Sequence, residues 1–285
     1  MNAKEQILSH FPQLTPRLRD AARFVVDHPN DVVTHSMRGL AETANIMPST
    51  LSRLAQQVGY VGWPELKKAF ISDLGLNQNG YSERAKKLAN RSTEKGLVNE
   101  LFETYVSNLE ATQLQIEPKI KIAANILQKA KVVHVAGFRA SFAIAFSLFY
   151  GYRLFRNSVE LIDGHCGGLE LQLRRIQKRD AVVIISFAPY SKESIAVLEA
   201  ARHAHASVIA LSDSSASPLA LGADVSLEFK VSSPSFFPST LAGTAASEAL
   251  LEALVATGKN DVVKPIDEAE KHLIRSGAYL GNATL

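Results

Sequence analysis

From Lys131 onward the chain alternates short apolar runs with helix-patterned segments, and this alternation restricts the fold more than any other feature. KVVHVAGF, DAVVIISF and ASVIALSD are apolar runs of strand length, and SVELID and ADVSLEF are shorter strand candidates. Between them lie SFAIAFSLFYGYRLF and SKESIAVLEAARHAH, where apolar residues recur with a helical period. Strands separated by helices pair in parallel and carry helices on both faces of the sheet. The near-continuous apolar character of the runs suits strands covered on both sides. Such sheets take ligands at the carboxyl ends of strands, where the strand order reverses. The loops after Val135, Ile185 and Leu211 are therefore where a site is expected.

The first ~75 residues read as short helices only. TPRLRDAARFVVDHP places Leu18, Ala21, Ala22, Val25 and Val26 at helical spacing, with Thr15 as N-cap, Pro16 at the first helical position and Pro29 as the stop. Further helices are expected over Met37 to Ala44 behind a Ser36 cap, over Pro48 to Val58 ahead of a Gly59 stop, and from near Pro64. The polar stretch LNQNGYSERAKKLANRSTEKG reads as a hinge or linker with a short helix, followed by the longer helical segment LVNELFETYVSNLEATQLQ. The expected organisation is a helical domain at 1–77, a linker at 78–105 and an α/β domain at 106–285 with its core at 127–265.

The 285 residues are 46% hydrophobic and 21% charged, enough for two domains with proper cores. The one cysteine, Cys166, excludes an internal disulfide and a Cys-rich zinc site, and reads as a small buried hydrophobe. No segment approaches ~20 consecutive apolar residues and the N-terminus has no signal-length apolar run, so a cytoplasmic protein that does not span a membrane is expected. The net charge of +3 is compatible with nucleic-acid binding, but an ordinary solvated surface gives the same value. Neither GxGxxG nor GxxxxGK[ST] occurs, which disfavours dinucleotide and nucleoside-triphosphate chemistry, and no cofactor or metal is expected.

Two short helices around the turn NIM, in SMRGLAETA and PSTLSRLAQQVG, match helix-turn-helix spacing. Leu51, Leu54, Ala55 and Val58 form the inward stripe of the second helix, which turns Ser49, Thr50, Ser52, Arg53, Gln56 and Gln57 outward. Short hydroxyls, an arginine and amides are the side chains that bond base edges and phosphates. Arg38, Lys67 and Lys68 add candidate phosphate contacts; a partnerless surface helix is the alternative. The stretch HSMRGLAETANIMPSTLSRLAQQVGYVGWPELKKAF resembles the N-terminal helix-turn-helix of the RpiR family of bacterial regulators, in its PSTLSR core, Gly59-Tyr60 pair and GWPELK tail. It departs from that pattern at Asn45, where the family's turn usually has glycine, and at Met47, where the cap is usually serine or threonine. Asparagine tolerates the left-handed conformation of such a turn, whereas methionine cannot cap.

In the second half, VVHVAGFRAS runs from strand through Gly137 to Ser141 at a helix start, and IISFAPYSKES runs from strand through Ser186 to Ser191 and Ser194 at another. Two readings stay open: the serines are N-caps, or hydroxyls and helix N-termini converge on an anion such as a phosphate monoester. His165, in the glycine-flanked loop IDGHCGG, is either a contact to a sugar hydroxyl or phosphate or a surface histidine. The late helix carries small residues Ala242, Ala245, Ala246 and Ala249, which suggest close packing and a subunit interface.

Residues from about Lys131 to Ala256 resemble the sugar isomerase (SIS) domain, a five-stranded parallel α/β sandwich that binds phosphorylated sugars. The resemblance lies in VAGFRAS, IISFAPYSKES and SPLALGADVSL. It implies phosphate contacts from a first-loop serine and a Ser-x-Ser-Gly-x-Thr motif, and Ser141, Ser186 and Ser191 keep those hydroxyls. The motif's second serine is Ala188 and its glycine is Pro189; Tyr190 offers a hydroxyl or a stacking face in compensation.

Joined, the halves imply a transcriptional regulator of carbohydrate metabolism genes, not an enzyme. It is expected to bind operator DNA as a homodimer or homotetramer under control of a phosphorylated sugar or related metabolite. The alternative is a sugar-phosphate isomerase-like enzyme with an accessory helical domain, for which His165 and Glu248 are the only candidate bases.

Overall fold

All five expected strands form, and they pair in parallel. They are β1 (Val133–Gly137), β2 (Val159–Ile162), β3 (Ala181–Ile185), β4 (Ser207–Ser212) and β5 (Val225–Glu228), in the order β2-β1-β3-β4-β5. The protein is seen in a computed structural model describing residues 2–73, 81–91, 96–258 and 260–278. The chain divides into two units, Met1–Asn79 and Gly80–Leu285. No helix among the described residues is long and apolar enough to cross a membrane.

The first unit holds α1 (Ala3–His10), α2 (Pro16–Asp27), α3 (Pro29–Thr34), α4 (Met37–Thr43), α5 (Pro48–Gln57) and α6 (Trp63–Asp73). Its core draws Ala21, Ala22 and Val25 from α2, Leu51, Leu54 and Ala55 from α5, and Leu66 and Phe70 from α6. Ser36 caps α4 by accepting the Gly39 N–H, as its position predicts. Thr15 stands at the α2 cap position but makes no cap bond; Pro16 alone pre-forms that start. Pro29, expected only to stop α2, also opens α3, because proline suits a first helical turn as well as it ends the preceding one.

The second unit begins with α7 (Tyr81–Ala89) and α8 (Leu97–Lys129). Of the segment 78–105, expected as a linker, residues 78–80 and 92–95 lie outside the described residues, and much of the rest is helical. Arg84 of α7 donates to the Ser233 and Ser235 carbonyls, which ties α7 to the chain after β5. Residues 97–105 are the start of a 33-residue helix, about 50 Å long. Its buried Asn108 donates to the Ser232 carbonyl and its buried Thr112 accepts the Lys230 N–H. The polar composition of 78–105 thus marks exposed helix surface rather than missing structure.

Alternate residues of the central strands feed two cores. Val133, Val135, Val183, Ile185, Ile209 and Leu211 pack with α8, α9 (Phe142–Arg153) and α13 (Leu241–Gly258). Ala136, Val182, Ile184, Val208 and Ala210 pack with α11 (Lys192–His203) and α12 (Pro218–Leu221). The small α10 (Leu169–Leu173) flanks that second face, and α14 (Asn260–Arg275) follows α13. His134 interrupts the apolar run of β1; it is buried, and its Nε2 lies 3.3 Å from the buried Asp180 carboxylate. Ala242 and Ala246 of α13 are wholly buried, and a Cβ at Gly243 would lie 2.9 Å from both Ile144 and Phe229. The small residues of α13 therefore serve close packing within the unit.

Gly137 ends β1 where the chain turns directly into α9. An added Cβ would lie 2.6 Å from the Ala145 Cβ and 2.7 Å from the Ser141 carbonyl oxygen. Gly137→Ala is expected to destabilise the second unit by about 1–3 kcal/mol, measured as a lowered urea midpoint; an unchanged midpoint would show that the turn yields at no cost.

Candidate functional site

The strand order reverses between β1 and β3: β1 connects onward to β2 on one side, and β3 returns to its other side. Gly137 pairs with Ile185, so both strands end level and their loops leave side by side. A sheet of this order binds ligands at that point.

The first loop is a 3-10 turn, Arg139–Ser141, with Arg139 in the left-handed region at φ +54°. Ser141 is buried at the start of α9 and makes no cap bond. The second loop begins at buried Ser186, whose N–H donates to the Leu211 carbonyl. Neither the Ser141 nor the Ser186 hydroxyl is hydrogen-bonded among the described residues. Ser191 caps α11, accepting the Ser194 N–H at 3.1 Å, and its Oγ lies 2.9 Å from the Ser194 Oγ. Of the two readings of the serines, capping therefore describes Ser191 and Ser194, while Ser141 and Ser186 keep free hydroxyls. Arg139 reaches across to Glu193 in the first turn of α11 at 3.1 Å, joining the two loops.

Between them lie Ala188, Pro189 and Tyr190, with a cis Ala188–Pro189 bond. Asp213, just past β4, accepts the Ala188 N–H at 3.2 Å and the Tyr190 O–H at 2.8 Å. Burial first, and the Asp213 charge second, push the Tyr190 phenol well above its ordinary range. Tyr190 is therefore protonated and donating at any ordinary pH. Sequence reasoning singled out the loop after Leu211 but not Asp213; the signal available was an acid at the carboxyl end of a buried strand.

His165 sits at the same end of the sheet, on the turn after β2, and is exposed. That turn is fixed by Asp163, which accepts the His165 N–H at 2.9 Å and a Gln172 amide N–H at 3.1 Å. Burial pushes Asp163 upward, but these hydrogen bonds outweigh it and hold the carboxyl below its usual range. Cys166, expected buried, is exposed, because the turn holds it at φ +52° above the sheet edge rather than in a core. Glu248 is exposed on α13. Neither candidate base of an isomerase is thus enclosed, and no group of three or more His, Cys, Asp or Glu side chains among the described residues is placed to hold a metal.

In the first unit, α4 and α5 meet around the turn Ala44 to Met47, with Asn45 at φ +52°, the left-handed conformation expected of it. Met47 precedes α5 without any side-chain cap and is 70% exposed. Leu51, Leu54, Ala55 and Val58 are fully buried. Ser49, Arg53 and Gln56 are exposed at i, i+4 and i+7, one face of α5, with Gln57 beside them. Arg38 and Lys68 are also exposed. Thr50 and Ser52 are half-buried, and Ser52 donates to the Met37 sulfur at 3.5 Å. Lys67 donates to the His35 carbonyl at 2.7 Å. Ser52 and Lys67 therefore serve this fold's own packing in the state described. Gln6 of α1 holds the end of α5 by donating to the Val58 carbonyl and accepting the Tyr60 hydroxyl.

Comparison with known proteins places both units. The profile of the helix-turn-helix domain of the rpiR family matches residues 1–76, and that of the SIS domain matches residues 126–256. The HTH-type transcriptional regulator HexR of Pseudomonas aeruginosa is 24% identical over 233 residues, 80% of this chain and 78% of that protein. HexR of Escherichia coli is likewise 24% identical, over 81% of this chain and 78% of its own length. Among solved structures, the sugar isomerase domain of an RpiR transcription factor from Sphaerobacter thermophilus matches 62% of this chain and 99% of its own, with TM-score 0.59 and 24% identity. The NanR protein of Vibrio vulnificus, complexed with ManNAc-6P, matches 98% of this chain and all of its own, with TM-score 0.57 and 18% identity. These matches favour a regulator over an enzyme. With an RpiR-type head ahead of a SIS domain, the chain belongs to the RpiR family of DNA-binding transcriptional regulators.

Proposed function

We propose that a phosphorylated sugar, or a close relative, binds at the β1/β3 switch point and controls the grip of the helix-turn-helix head on operators of carbohydrate metabolism genes. One observation carries the effector reading: two level strand ends bring the free hydroxyls of buried Ser141 and Ser186 to one place beside the start of α9. Helix N-termini and hydroxyls favour a phosphate without needing a lysine or arginine in the pocket. Two fold neighbours support the ligand class: NanR, solved with ManNAc-6P, and E. coli CFT073 c3406, solved with a sugar phosphate and similar at TM-score 0.52. Tyr190 and His165 stand at the rim for the sugar's hydroxyls, and Ser191 and Ser194 shape the second loop from behind.

In this reading residues 1–77 bind double-stranded DNA, residues 106–285 bind the effector, and residues 78–105 join them. The protein acts in the cytoplasm as a homodimer or homotetramer, because paired heads reading half-sites about one helical turn (~34 Å) apart convert a small rearrangement into release or capture of DNA. Ser49, Arg53 and Gln56 face bases, with Thr50 and Ser52 at the edge of that face. Arg38 and Lys68 face phosphates, joined by Lys67 if DNA draws it off the His35 carbonyl.

Arg53→Ala is expected to weaken operator binding by about tenfold or more, since one good base contact is worth about 1–3 kcal/mol. Gel shifts with DNA from upstream of the protein's own operon measure this, and undiminished affinity would remove α5 as the reading helix. Three exposed cations per head, six in a dimer, give an expected salt slope of about −5 in log K against log salt. Ser141→Ala and Ser186→Ala are each expected to lower sugar-phosphate affinity several-fold in calorimetry. Ser191→Ala should instead cost about 1 kcal/mol of stability as a lost helix cap. Unchanged affinity in both of the first two variants would refute the cradle.

A further inference from the structure

The second loop carries a fixed negative charge where the resembled motif has phosphate donors. The Asp213 carboxylate accepts the Ala188 N–H and the Tyr190 O–H, and the Ser212 Oγ lies 3.4 Å away. All of these donors are neutral, and no Lys, Arg or His pairs with Asp213 among the described residues. Its charge is held in place without being cancelled. The Ala188 amide, occupied by this carboxylate, is closed to a phosphate. Glu193 adds a second carboxylate nearby: one oxygen meets Arg139, and the other is buried with no hydrogen-bond partner.

The sheet sets where a ligand can lie against these charges. Gly137, Ile185 and Leu211 are in register on neighbouring strands β1, β3 and β4. At ~4.8 Å per strand, the Ser141 loop and the Asp213 loop stand about 10 Å apart. A phosphate therefore has a favourable end, at Ser141 and the start of α9, and an unfavourable one, at Asp213.

A second cavity, of about 290 Å³, lies away from this point beside Gln128, Tyr152, Arg156 and Leu254. Its polar atoms are already matched: Gln128 donates to Thr257 and Arg156 to the Leu127 carbonyl. It offers a ligand few open partners.

We propose that Asp213 determines specificity at the effector site, admitting a sugar that carries one phosphate and excluding ligands with a second anionic group at the opposite end. The proposal rests on the sugar-phosphate reading above. The phosphate lies at the Ser141 end and the neutral polyol end faces Asp213 and Tyr190. A second anion there meets an uncompensated carboxylate in a partly desolvated site, where like-charge repulsion over a few ångströms changes affinity by tenfold or more, about 1.4 kcal/mol per factor of ten.

The test is calorimetric titration of the full-length protein with hexose 6-phosphates and pentose 5-phosphates. Each is matched to the same skeleton bearing a second anion, as a bisphosphate or a phosphorylated aldonate. The expected result is that the best monophosphate binds at least about tenfold tighter than its matched analogue, and that Asp213→Asn narrows the ratio to within about threefold. Asparagine keeps one acceptor oxygen for Tyr190 while removing the charge. Equal or tighter binding of the second-anion analogue by the wild-type protein would overturn the proposal, as would an unchanged ratio in a folded Asp213→Asn variant. Should that variant fail to fold, the wild-type ratio decides alone. Binding of none of the probes would overturn the sugar-phosphate reading and this proposal with it, whereas equal binding of both classes overturns this one only.

Discussion

Gly137 has no side chain, and the site depends on that vacancy. The first turn of α9 lies against the end of β1, closer than any Cβ permits. This contact sets how far Ser141 stands from the sheet, and the level pairing of Gly137 with Ile185 sets how far it stands from Ser186. Parallel pairing supplies the rest. Helices on both faces make the strands fully buried, so their ends cannot slide without exposing Val135, Val183 or Ile184 to water, each worth about 1.5–3 kcal/mol. A rigid sheet thus presents soft chemistry, two hydroxyls and a helix start, at fixed spacing.

Those hydroxyls divide by what the backbone needs. Ser191 and Ser194 satisfy the open N–H groups at the start of α11 and each other. Ser141 occupies the equivalent position on α9 with helical backbone angles, so its side chain cannot turn back to cap and stays free. Serines at two helix starts, alike in sequence, therefore have different work. The same division holds on α5, where Ser49 is exposed while Ser52 is turned toward the Met37 sulfur.

Period and punctuation made most of the fold legible. The five strands follow from apolar runs of strand length, and the helix-turn-helix follows from a four-residue inward stripe bounded by Pro48 and Gly59. What stayed hidden depends on contacts far apart in sequence. The tie of Arg84 to Ser233 and Ser235 makes α7 part of the second unit, although its composition reads as linker. Lys67 looks like any phosphate-seeking lysine until the fold brings the His35 carbonyl to it. Cys166 reads as buried because cysteine usually is, and only the left-handed turn shows otherwise. Asp213 is the largest omission: an aspartate after a strand is common loop chemistry, and nothing local reveals that its partners lie 23 and 25 residues earlier.

Asp213 also explains how the departures at Ala188 and Pro189 are compatible with a working site. Loss of a serine hydroxyl and a glycine amide would leave a loop with fewer donors and more freedom. The carboxylate uses the remaining amide and the Tyr190 phenol to hold that loop in one shape, and so replaces ligand-supplied order with internal order. A preorganised loop spares the ligand the entropy of ordering it. The same charge makes the pocket selective by penalty rather than by added attraction, which is how discrimination is achieved when the available contacts are few and neutral. In this chain the groups that attract a phosphate and the group that repels a second anion sit on neighbouring strand ends, so affinity and selectivity can vary independently, through Ser141 and Ser186 for the one and Asp213 for the other.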